Sequence, residues 1–228
     1  MIDRLRRHPE RLHLGLMLAL TFSTGVIDAV GYLGLDRVFT GNMTGNVVIL
    51  GMALTGADGL PIVGPIIALV LFMAGAAVSG RTLRKVAAGW SGRSTMLFAT
   101  VGVVLLAAAV PMFVLTDPIE PVKLAVTGAL GLAMGMQAGA ARHIGVKDVT
   151  TVVVTSTIVG LAFDSFFGAA TKGHPWPRRA LAIALIGVGA AVGALLLQLH
   201  IGLGMGAAAV ITLIAALLGH LGRPGPVA

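Results

Sequence analysis

Cysteine is absent, so this chain can form no disulfide, no thiolate metal site and no thiol redox switch. Charge is the next scarcity. Only 11% of the residues are Asp, Glu, Lys or Arg, against roughly a quarter in a soluble domain. That is too little to cover the surface of a 228-residue globule, and hydrophobic residues make up 57% of the chain. These proportions require an integral membrane protein. Catalytic signatures are missing as well: there is no His-Glu-x-x-His, no Gly-x-Ser-x-Gly and no evident Ser nucleophile paired with a base. An enzyme, a catalytic residue, a cofactor and a metal site are therefore not expected.

What the chain does have is basic residues in its loops and glycine in its apolar runs. The formal net charge is +7, but Lys and Arg fall between the apolar segments, as topology control demands. No contiguous basic face marks a nucleic-acid partner. The 32 glycines suit helices that pack closely in a bilayer. The basic stretch 1–13 precedes an apolar run of about 22 residues, Leu14 to Leu35, longer than the core of a signal peptide and lacking an evident cleavage site. It reads as a retained first helix.

Six apolar segments reach the roughly 20 residues needed to cross a bilayer, near 14–35, 61–80, 95–115, 122–141, 180–199 and 202–219. Two shorter ones, 38–57 and 149–168, carry polar clusters. If all eight cross, the 16 Lys and Arg divide 9 to 7 between the two sides; if the two short pieces re-enter, the division is 14 to 2. The positive-inside rule selects the second arrangement, with both termini cytoplasmic in a bacterial inner membrane. The expected fold is an all-α polytopic membrane protein of six transmembrane helices and two re-entrant half-helix segments. Each half, 1–116 and 117–228, then holds three spans and one re-entrant segment. An odd number of crossings makes the halves inverted repeats, a plan common in secondary transporters. Across 34–48 and 145–159, Gly34, Val38, Thr40, Thr44 and Val48 recur identically, five positions of fifteen.

The polar breaks are the expected site. Each begins with β-prone residues (Val38 to Thr40; Val149 to Val154) and continues into a short helical run. Asn, Ser and Thr cap helix starts by satisfying free backbone N–H groups, so the clusters mark two half-helix N-termini. Such ends carry a partial positive charge and favour anions or dipoles. Asn42, Thr44, Gly45 and Asn46 are expected to line one side of a solute site and Thr155, Ser156 and Thr157 the other, with Gln137 as a polar partner. The bland alternative is a pair of turns inside a packed bundle.

Asp28 lies mid-span, where a carboxylate costs about 2.5–3.5 kcal/mol on insertion scales. It is assigned a coupling or gating role, by moving a proton, holding a cation or pairing with a base such as Arg142; a protonated Asp bonded between helices is the alternative. Asp164 is expected to be solvated, and His200 to be an exposed turn residue. The Gly131, Gly135, Gly139 ladder, with Gly189–Gly193 and Gly202–Gly206, predicts close helix crossing within the chain, or else a homodimer contact.

The run Asp28-Ala29, Gly34-Leu35-x-Arg37-Val38-Phe39 and Asn42-Met43-Thr44-Gly45-Asn46 resembles the signature of the YoaK-like family of uncharacterised bacterial multi-pass membrane proteins (domain of unknown function family 1275). The resemblance covers nearly the whole chain. Family members also carry Gly-x-Gln-Asn-Ala and Thr-Gly-Thr-Leu-Thr-Asp elements. Here these read Gly135-Met136-Gln137-Ala138-Gly139 and Thr155-Ser156-Thr157-Ile158-Val159-Gly160, with Ala138 in place of the Asn and Gly160 in place of the terminal Asp. The resemblance implies fold and membrane location. The functional expectation is thus a transporter or channel-like protein whose partners are the bilayer and a small solute; a membrane scaffold or regulator working through its basic loops is the alternative.

Overall fold

The computed structural model describes residues 8–57, 59–115, 118–146, 151–152, 154–165, 167–169 and 176–223, all of its regular structure helical. In chain order the helices are α1 (Pro9–Gly34), α2 (Met43–Leu54), α3 (Val63–Leu83), α4 (Gly92–Val114), α5 (Glu120–Ile144), α6 (Thr155–Phe163), α7 (Trp176–Leu199) and α8 (Ile201–Gly222). Local chemistry sets many of their ends. Pro9 starts α1 and Pro121 lies in the first turn of α5, where a missing N–H does no harm. Ser91 and Ser94 form a reciprocal capping box at α4. Gly145, at φ 72°, ends α5 in the left-handed conformation.

Six helices, of 21 to 26 residues, are long and apolar enough to span a membrane. The other two are not long enough. At about 1.5 Å per residue, α2 measures about 18 Å and α6 about 14 Å, well short of a hydrocarbon core of about 30 Å. The six expected spans therefore stand, each with its ends moved by a few residues. Early polar residues such as Glu10 and His13 belong to α1 although they fall outside the apolar run.

Helix burial follows composition. The two least hydropathic long helices, α1 and α5, are the most enclosed, with 72% and 67% of their apolar windows buried, whereas α7 has 17%. Polar residues are concentrated on the helices that other helices cover. Packing also pairs the two halves: α1 lies on α7 and α8, α5 on α3 and α4, α2 on α3, α6 on α7, and α4 on α8. Exchanging α1–α4 with α5–α8 leaves that pattern unchanged. The first turns of α1 share a surface pocket with the end of α5, Glu10 to Leu14 beside Ile144 to Val146, so these two helices run in opposite directions.

Glycine makes the tightest crossings possible. A Cβ on Gly135 would overlap the Phe72 carbonyl of α3, and one on Gly189 would overlap the Phe22 carbonyl of α1. Gly131, Gly139 and Gly193 also face a neighbouring helix closely, so this ladder serves packing within the chain. Gly206 departs from the expectation: nothing lies within 4 Å of its Cβ position.

Candidate functional site

After α1 the chain reverses. Asp36 and Arg37 take left-handed backbone angles (φ 57° and 56°), and the segment then runs back alongside α1, placing Val38 O against Gly31. Thr40 and Gly41 thereby reach Asp28, whose Oδ1 accepts both backbone N–H groups at 3.0 and 2.7 Å. From there the chain enters α2. Arg37 Nη1 donates to Gly59 O at 3.0 Å, tying the residues before α2 to those after it. The β-prone stretch Val38 to Thr40 forms no strand, because side chains rather than a partner strand take its hydrogen bonds. Val149, Thr150 and Val153 of the second break lie outside the described residues.

Asn46 is one of these side chains. Its Oδ1 accepts the Phe39 N–H (2.9 Å) and its Nδ2 donates to Phe39 O (2.6 Å). The pair mimics a rung of a β-ladder and clamps the first turn of α2 to the returning segment. Asn42 caps α2 by accepting the Gly45 N–H at 3.2 Å. At Gly45 a Cβ would sit 2.7 Å from the Phe39 ring, so any larger residue would have to push that ring aside. Within the first motif, then, Gly45 and Asn46 hold the turn together, and Asn42, Met43 and Thr44 are left facing outward from it.

Those three residues border a cavity of about 350 Å³. Gly41 joins them on one side; Phe72 and Ala76 of α3 form a wall; Ala138, Gly139 and Arg142 of α5 form another; and Val152, Val154 and Thr155 close it from the second break. The starts of α2 and α6 thus meet at one space. Val154 supplies no side-chain cap to α6, and the start of that helix carries the partial positive charge of a helix N-terminus. Arg142 adds a guanidinium in the last turn of α5. All three contributions favour a negative or dipolar occupant.

Of the expected site residues, Asn42, Thr44 and Thr155 come together at this cavity. Ser156 is exposed and Thr157 buried on other faces of α6, and neither lines it. Gln137 is fully buried, its Nε2 donating to Thr24 Oγ1 at 3.0 Å. Sequence reasoning overlooked Arg142 as a wall of the cavity, offering it instead as a partner for Asp28. The spacing of Ala138 and Arg142, four apart on one helical face, was the available signal.

Asp164 is not solvated as expected. It accepts a bond from Arg179 Nη1 at 2.6 Å, and the same nitrogen donates to Gly160 O at 2.6 Å. Arg179 is itself 8% exposed. The guanidinium therefore holds the C-terminal turn of α6 against the start of α7, and Gly160 makes room for it, its Cβ position lying 3.0 Å from the guanidinium carbon. Arg179→Ala should destabilise the folded protein by about 3 kcal/mol, since it removes the buried cation that pairs with a half-buried carboxylate and ties the end of α6 to α7. A detergent-solubilised variant that melts with the wild type would refute that role. His200 is likewise more than an exposed turn residue: its Nδ1 accepts the Gly202 N–H at 3.1 Å as the cap of α8, and its ring stacks on Phe113 at 4.7 Å.

A family model described as "Protein of unknown function (DUF1275)" matches residues 16–219. The UPF0700 transmembrane protein YoaK of Bacillus subtilis (strain 168) is similar to this chain, 31% identical over 187 residues, which cover 79% of this chain and 82% of that protein. No solved structure matches.

Proposed function

The chain belongs to the DUF1275 family of membrane proteins, and from its two converging short helices we propose that it is a transporter or channel-like protein for a small anionic or dipolar solute. The observation that carries this reading is the cavity of about 350 Å³, bordered by Asn42 to Thr44 at the start of α2, by Val154 and Thr155 at the start of α6, and by Arg142. A volume of that size accommodates a small organic anion. Polar backbone at membrane depth is tolerated where it lines a water-filled space, which is what such a cavity would provide.

In this reading α2 and α6 are re-entrant half-helices. The bond from Arg37 to Gly59 supports it for α2, because the excursion begins and finishes at the same end of the bundle. The two halves are inverted repeats, supported by the exchangeable packing of α1–α4 and α5–α8 and by the opposed directions of α1 and α5. Alternating access then consists of one repeat rocking on the other around a fixed central site. Charge bias places both termini on the cytoplasmic side of the cell membrane. The occupant is moved without covalent chemistry.

The test is the thermal stability of purified protein against a panel of inorganic anions, carboxylates and amines at constant ionic strength, paired with flux in proteoliposomes. A carboxylate or inorganic anion should raise the Tm of the wild type. Arg142→Gln, whose side chain is exposed, should fold normally and bind that anion at least about tenfold more weakly, the scale of one charge-assisted hydrogen bond. No stabilising compound together with no flux would remove the transporter reading.

A further inference from the structure

Gly41 lines the cavity on one side and on the other touches a buried polar cluster. A Cβ built there would fall 3.0 Å from Thr24 Cγ2 and 3.4 Å from both carboxylate oxygens of Asp28. Thr24 and Asp28 are one turn apart on the same face of α1. Thr40 comes from the returning segment and Gln137 from α5, and each of these four residues is at most 9% exposed. The cluster therefore joins the first span, the first break and the central helix of the second half.

The hydrogen bonds fix which way the Gln137 amide points. The single Thr24 hydroxyl proton goes to Leu20 O at 2.9 Å, so Thr24 Oγ1 can only accept from Gln137. Nε2 makes that bond at 3.0 Å. The amide carbonyl Oε1 is consequently turned away from Thr24, and it has no hydrogen-bond partner among the described residues. The Thr40 hydroxyl lies close to the Asp28 carboxylate but outside hydrogen-bonding geometry. Asp28 Oδ1 accepts the Thr40 and Gly41 N–H groups, with the Asn42 N–H also close to the carboxylate, and Oδ2 adds further lone pairs. The cluster is thus rich in oxygen acceptors and contains no cationic side chain.

We infer that this cluster binds a monovalent alkali cation, Na⁺ in preference to K⁺, through Asp28, Gln137 Oε1 and the Thr40 hydroxyl. An all-oxygen donor set suits a hard cation, and one carboxylate neutralises one charge. The described residues contain no group of three His, Cys, Asp or Glu such as a divalent or transition metal would use. Close packing at the cluster, where even a Cβ on Gly41 would lie 3.4 Å from both Asp28 oxygens, favours the smaller ion. The inference rests on the transporter reading for its purpose: with Gly41 shared between cluster and cavity, the cation would stiffen the turn that presents Asn42 and Thr44 to the solute, making Na⁺ the coupling ion.

The experiment is a Tm titration of purified wild type in detergent with NaCl replacing choline chloride at constant ionic strength, and KCl in parallel. A saturable rise with Na⁺, at least tenfold weaker in K⁺ and absent in choline, is the expected result. Asp28→Asn should lose the response, but Asp28 also pins the turn, so Gln137→Met is the deciding variant. It removes an unpartnered buried acceptor along with the single bond to Thr24, two effects that offset one another, so it should fold and melt close to the wild type in choline and show no Na⁺ rise. Equal Tm values in Na⁺ and choline, or an undiminished Na⁺ response in Gln137→Met, would overturn the site. The two proposals also fail separately. A solute response with no Na⁺ response supports the cavity and overturns the ion site, and a solute that stabilises equally in Na⁺ and choline overturns Na⁺ as the coupling ion; a Na⁺ response that depends on Gln137, with no solute response or flux, supports the ion site and removes the transporter.

Discussion

Asn46→Ala is expected to lower the stability of the purified protein by about 3 kcal/mol, a Tm decrease on the order of 10 °C for a chain of this size. The side chain is 1% exposed and satisfies both backbone groups of Phe39. Truncation leaves that N–H and C=O without partners, at about 1–3 kcal/mol each. It also unclamps the first turn of α2 from the returning segment, so Asn42 and Thr44 lose their fixed position beside the cavity. Thr44→Ala is the control: Thr44 is exposed and makes no side-chain hydrogen bond among the described residues, so its Tm should change little. If Asn46→Ala melted with the wild type but failed to bind solute, Asn46 would be a direct ligand and the clamp would be wrong.

Gly135→Val should be comparably damaging, through packing rather than hydrogen bonding. Even the Cβ of this residue would overlap Phe72 O, a backbone atom that cannot swing aside. The α3–α5 crossing would have to open by about an ångström. That would break the bond from Ser79 Oγ to Met136 O, now 2.8 Å. Overpacking costs about 1–3 kcal/mol where side chains can yield, and backbone against backbone belongs at or beyond the upper end. Gly80→Ala is the matching control. Nothing lies within 4 Å of its Cβ position, and Ala is preferred over Gly inside a helix by about 1 kcal/mol, so that variant should be slightly more stable. Similar melting of the two variants would mean that the crossing is looser than the geometry describes.

Some of this was legible beforehand for identifiable reasons. The spans could be read because crossing a bilayer needs a long apolar run and little else. The breaks could be read because Thr40 to Asn46 concentrates Gly, Asn and Thr where an unbroken helix would be cheaper. Capping by Asn42 follows from its side chain and its place before an apolar run. The role of Asn46 did not follow: the same amide can bind a solute or a backbone, and its choice depends on where Phe39 returns. Asp164 was misjudged because its partner, Arg179, lies on the next helix, and no local pattern links them. The Gln137 carbonyl became informative only once Thr24 was seen to have spent its proton on Leu20.

From the sequence alone come the membrane class, six long helices, two short polar interruptions and the likeness of two halves, all set by local composition and by a charge bias that needs no contacts. Only the tertiary structure decided which polar groups face one another: Asn46 toward Phe39, Asp28 toward the Thr40–Gly41 turn, Arg142 toward the space between α2 and α6. The physical reason is that hydropathy acts on segments and is additive along the chain. A hydrogen bond or a cavity wall depends instead on the position of a second group, to within a fraction of an ångström, and that second group is supplied by another helix.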